Sequence, residues 1–101
     1  MKVQNLGGTA DNKCKCGGGW FDHWERYSGG TPPRICSVFG CMNFAEVGGH
    51  VIKNNSFDKD HYIIPLCKRH NNASAGTIFE ISDSTPMASA NVAETCGKRR
   101  G

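Results

Sequence analysis

The sequence predicts a small α+β domain, and three observations carry that prediction. Cysteine and histidine recur as two pairs, Cys36-x4-Cys41 and Cys67-x2-His70, with 25 residues between Cys41 and Cys67. Between the pairs, Ala45 to Ile52 and His61 to Ile64 read as strands separated by the polar loop Lys53 to Lys59, with a helix to follow. The chain also has a thin core. With 101 residues, 38% of them hydrophobic, and 13 glycines, it must offset roughly 1–2 kcal/mol of backbone entropy per residue.

The two pairs supply what the core lacks. Three sulfurs and an imidazole are enough donors to close a tetrahedral zinc site, and structural zinc contributes about 10–16 kcal/mol in finger peptides. A short loop lets Cys36 and Cys41 face one point, with Gly40 free to take the positive φ of a tight turn. Pro65 suits the entry to a helix on which Cys67 and His70, three residues apart, share a face. A knuckle and a helix N-terminus converging on one ion form a treble clef. Buried reduced cysteines, or two disulfides, are the competing readings, and Cys/His pairs at ligand spacing favour the metal.

Strand, loop, strand and helix around Cys36, Cys41, Cys67 and His70 resemble the HNH, or ββα-metal, finger of endonucleases. The likeness covers about 36 residues, Cys36 to Asn71. It implies a ββα core in which His50 matches the family's general base. Gly49 stands where the family usually has a metal-binding Asp, Asp60 or His61 near the middle Asn, and Asn71 at the last His. The missing carboxylate matters because a hard divalent ion wants oxygen ligands.

Outside this module, Trp20, Trp24 and Tyr27 recur at i, i+4 and i+7, so Trp20 to Tyr27 reads as a short amphipathic helix ended by Gly29-Gly30. Its aromatic stripe, with Phe39, Phe44 and Phe57, is expected to supply much of the buried area. A stacking platform for nucleic acid is the alternative, but Arg26 is the only basic residue nearby. Thr31-Pro32-Pro33 is a stiff connector. Cys14 and Cys16 are too close to bridge one another easily. With His23 and Cys96 they form a candidate second metal set, against free or buried thiols or a disulfide through Cys96. Thr77 to Ile81 and Met87 to Val92 read as a hairpin that covers the zinc module. The whole is expected to be one domain: residues 14–30 an N-terminal element, 36–74 the zinc module, 77–96 the hairpin and 97–101 a disordered tail.

Composition narrows the function classes. Met1 to Ala10 has no apolar run, so neither a signal peptide nor a membrane span is expected, and six cysteines are read as thiols in a reducing cytoplasm. A net charge of +3 permits nucleic-acid binding without requiring it. Lys98-Arg99-Arg100 reads as a solvated tail, and Gly17-Gly18-Gly19 lacks the Lys-Ser/Thr of a phosphate loop. The expected function is a non-catalytic zinc module that binds nucleic acid or a protein partner. The alternative is a small metal-dependent endonuclease, with His50 as general base and Asn71 plus Asp58 or Asp60 holding Mg²⁺.

Overall fold

The computed structural model describes residues 1–6, 19–29 and 35–91. In chain order they form β1 (Lys2–Asn5), α1 (Gly19–Tyr27), β2 (Val47–Lys53), β3 (Tyr62–Leu66), α2 (Lys68–Asn71), β4 (Ile78–Glu80) and β5 (Ala88–Ser89). The five strands make one antiparallel sheet in the order β4-β1-β2-β3-β5. Its centre is the pairing of β2 with β3, in register from Val47 opposite Leu66 to Val51 opposite Tyr62.

Side chains alternate between the two faces of a strand, and both faces here are covered. Beneath α1, Trp24 packs on Ile63 and Ala88, with Trp20 and Ala90 at the margin. On the other face Val3, Val51, Ile64, Leu66, Phe79 and Ile81 pack with Cys36 and Cys67. β3 therefore reads as a continuous apolar run, because Ile63 faces the helix while Ile64 and Leu66 face the cysteines.

Helix α1 matches the expected segment closely. Its last turn is followed by Gly29 at φ 74, and Asp22 pairs with Arg26 at 2.8 Å, one turn apart. The buried stripe is shifted from the expected one. His23 and Trp24 are buried and Tyr27 is exposed, and the Trp24 indole donates to the Pro86 carbonyl at 2.8 Å. Backbone meets backbone where α1 crosses β2. A Cβ on Gly48 would lie 2.5 Å from the Trp20 carbonyl carbon and 2.7 Å from the Phe21 nitrogen.

Four expectations need correction. Residues 77–81 and 87–92 do not form a hairpin: β4 pairs with β1 and β5 with β3, at opposite edges of the sheet. The strand β1, whose sequence KVQN has no apolar run, takes the place next to β4. Pro65 does not open the helix. Its carbonyl accepts from Ser37 N at 3.0 Å, away from β2, and β5 pairs only with Tyr62 and Ile63. The missing N–H thus falls on the side of β3 that no strand pairs at this position. Helix α2 is a single turn that begins after Cys67, so Cys67 is its cap rather than a residue on its face. Finally, Phe39, Phe44 and Phe57 are exposed by 60%, 74% and 106%. The inward positions of the knuckle are taken by sulfur, and the β2–β3 loop closes through its polar side chains. The domain boundaries at 14 and 96, and the tail 97–101, lie outside the described residues.

Gly48→Ala tests the close approach of α1. The added methyl meets backbone that cannot rotate away, so a loss of about 2 kcal/mol, in the range for overpacking, is expected from denaturant unfolding. An unchanged midpoint would contradict the observed packing.

Candidate metal centre

The centre is assembled from two segments that the sheet brings together. Residues 36–43 form a knuckle closed by an isolated bridge between Ile35 and Phe44. Cys36 N donates to Asn43 O at 2.9 Å and Cys41 N to Val38 O at 3.0 Å, and Gly40 adopts φ 78 in the turn. The knuckle is fixed to the sheet at two points. Ser37 N binds Pro65 O, and Phe39 N binds Glu80 O at 2.9 Å.

The second segment is the end of β3 and the turn after it. Cys67 sits at the helix cap and its sulfur accepts from His70 N at 3.5 Å. The same sulfur receives Asn43 Nδ2 at 3.9 Å. His70 is oriented from outside the turn, since its ring stands edge-on to Phe79 with centroids 5.3 Å apart. Buried Asn5 on β1 holds the chain after α2 by donating to Ala73 O at 2.7 Å. Neither Asn5 nor Phe79 was identified as support by the sequence. An isolated Asn in a polar strand carries no signal, whereas Phe79 alternating with Ile81 does.

The four donors lie within 4.8 Å of one another. The His70 Nδ1 is 3.2 Å from Cys67 Sγ and 3.5 Å from Cys36 Sγ, and Cys41 Sγ is 3.9 Å from Cys67 Sγ. A tetrahedral zinc with bonds of about 2.3 Å to sulfur and about 2.0–2.1 Å to nitrogen places sulfurs about 3.8 Å apart and sulfur about 3.5 Å from nitrogen. The donor set therefore fits such an ion in type and number, and these three separations lie near the tetrahedral values. The described cysteines are free thiols, and 3.9 Å is far outside a disulfide bond of about 2.05 Å.

Electrostatics within the cluster are uneven. Burial pushes the Cys36 thiol up to about 11. Burial also acts upward on Cys67, but hydrogen bonds from the His70 backbone and ring and from the Cys41 and Cys36 thiols outweigh it and bring the group down to about 6. Cys67 therefore gives up its proton more readily than an ordinary cysteine, and a bound cation would favour the thiolate form of all three cysteines.

The candidate catalytic residues do not meet. His50 faces α1, where its ring stands edge-on to Trp20 with centroids 4.4 Å apart. It is only 7% exposed, and burial first, then the nearby His61 and His23, lower its pKa to about 4. Asn71 lies across the sheet: its Oδ1 is 3.3 Å from the Cβ that Gly49 would carry, on the opposite face. That same Cβ would press on the Leu66 side chain, so a carboxylate at position 49 would require Leu66 to shift. Asp58 accepts from the Tyr62 hydroxyl and pairs with Lys53 at 3.3 Å, while Asp60 and His61 are exposed at the start of β3.

Of the second metal set only His23 lies among the described residues. It is buried, with Nε2 2.7 Å from Ser89 O. A carbonyl can only accept, so Nε2 carries the proton. Cys14, Cys16 and Cys96 lie outside the described residues. No helix among those described is long and apolar enough to cross a membrane. Compared with known proteins, the chain matches no family model, no curated protein and no solved structure at a significant level.

The neutral state of His50 sets a pH dependence. Its folded pKa of about 4 is below the ordinary value of 6.5. Between these values the unfolded chain takes up a proton that the folded chain does not, so stability falls with pH through this window. The loss is at most roughly 3 kcal/mol and is complete below the folded value. Unfolding curves across the window should be flatter for His50→Gln than for the parent. Equal slopes would show that His50 is not held neutral.

Proposed function

We propose that this chain is a zinc-built binding module of the HNH-like, treble-clef kind, in which the ion has a structural role and no catalysis takes place. The observation that carries the reading is the closed donor set of Cys36, Cys41, Cys67 and His70. Four protein ligands on one zinc leave no open position for water or substrate, and this distinguishes structural from catalytic zinc. The order knuckle, β2, loop, β3, capped turn supports the ββα likeness. Zinc is favoured over harder ions because three of the four donors are sulfur. The partner is a nucleic acid or another protein, and the module is expected to work in a reducing compartment such as the cytoplasm, where these thiols stay available.

A nuclease requires more than His50. The general base must lie close to a hard cation held by oxygen ligands near the scissile phosphate. Here His50 is under α1, Asn71 is across the sheet, and Asp58 is engaged by Tyr62 and Lys53. The proposed base His50 and the proposed ligand Asn71 thus lie on opposite faces of the sheet. We expect no cleavage of plasmid, single-stranded DNA or RNA with Mg²⁺ or Mn²⁺. Metal-dependent nicking that disappears in His50→Ala, with fold and zinc content intact, would establish the nuclease instead.

Metal removal tests the structural role. Because the site's binding free energy is also folding free energy, Cys67→Ser and strong chelation should each abolish cooperative thermal unfolding. Elemental analysis with thiol titration before and after chelation gives the metal count. It also decides between a second ion on Cys14, Cys16, His23 and Cys96 and free thiols there. A Cys67→Ser protein with a sharp transition in chelator would refute the structural role of the metal.

A further inference from the structure

The outer side of the metal knuckle carries features that neither the fold nor the ion requires. A groove of about 370 Å³ runs between the knuckle and the α2 turn, with Phe39, Met42, Asn43 and Arg69 lining it over the ligands Cys41 and His70. Phe39 and Met42 are 60% and 79% exposed, and Phe44, next to Asn43 in sequence, is 74% exposed. Such side chains add nothing to the core. No carboxylate lines the groove, and neither Lys68 nor Arg69, adjacent on the exposed turn, has an ion pair among the described residues. Glu80, whose backbone holds Phe39, has its carboxylate engaged by the Met1 amine at 3.1 Å.

Exposed aromatic faces beside unpaired cations are the combination that binds single-stranded nucleic acid. Unstacked bases lie on the rings, and the backbone phosphates meet the cations. Charge decides against cationic occupants. A basic peptide or a second copy of this cationic turn would bring like charge to Lys68 and Arg69. A duplex hides its base faces from the rings. We propose that the knuckle face docks a short single-stranded segment of DNA or RNA, with a base on Phe39 and phosphates on Arg69 and Lys68. The proposal rests on the metal-module reading, because Cys41 and His70 form the floor of the groove.

The test is fluorescence anisotropy of zinc-loaded protein with a labelled mixed-sequence oligonucleotide about a dozen nucleotides long, beside its duplex, over a salt series. Two phosphate contacts give a log–log salt slope of about −1.4, which falls to about −0.7 in Arg69→Ala. Phe39→Ala should weaken binding about tenfold at every salt concentration. Both residues are exposed, so thermal transition and zinc content should match the parent, and this is checked on the same samples. The single strand should bind more tightly than the duplex. Zinc-loaded protein that does not bind at low salt, prefers the duplex, or is indifferent to both substitutions overturns the docking proposal and leaves the metal module standing. Self-association through Phe39 and Arg69 without oligonucleotide binding makes the face a protein interface and also overturns it. Protein purified without metal that folds normally overturns the reading beneath it.

Discussion

The convergence of four donor atoms at the end of β3 is the constraint on which the rest depends. Cys67 must leave the sheet at the point where the knuckle of Cys36 and Cys41 arrives, and His70 must return one turn later. Each requirement is met by a specific contact. Pro65 presents its carbonyl to Ser37, Glu80 holds Phe39, Phe79 orients the His70 ring, and Asn5 fixes the chain beyond α2. Sheet and donor cluster therefore form one unit, since β1 and β4 supply contacts that position the four donors as well as core.

The same sheet separates chemistry that the sequence places side by side. Gly49 and His50 are neighbours in the chain, but strand alternation sends one toward Asn71 and the other toward Trp20. The Leu66 side chain packs against the position where a residue at 49 would carry its Cβ. This strand has two packed faces, and His50 is a buried ring under a helix.

Legibility in the sequence followed the range of the interaction. The ligand pairs, the α1 helix and the two central strands depend on spacing within a few residues, and all are visible in the pattern. What was hidden depends on partners far away in the chain. β1 is a short, mostly polar strand, and its buried residues Val3 and Asn5 acquire meaning only from β2, β4 and Ala73. The hairpin expected over 77–92 failed because β1 competes for β4, and no local feature of the turn Ser82 to Pro86 announces that. Hydrophobicity alone places the three phenylalanines in the core. Their exposure follows from a knuckle whose small interior is already occupied by sulfur.

The central claim is that one ion is held by Cys36, Cys41, Cys67 and His70. It is tested most directly by NMR of protein in which zinc is replaced by an NMR-active cadmium isotope, with correlations traced from the metal to the proton spins of its ligands. One cadmium resonance should correlate with the β-protons of Cys36, Cys41 and Cys67 and with the ring of His70. A metal signal that connects to other residues, or to fewer than these four, would contradict the assignment.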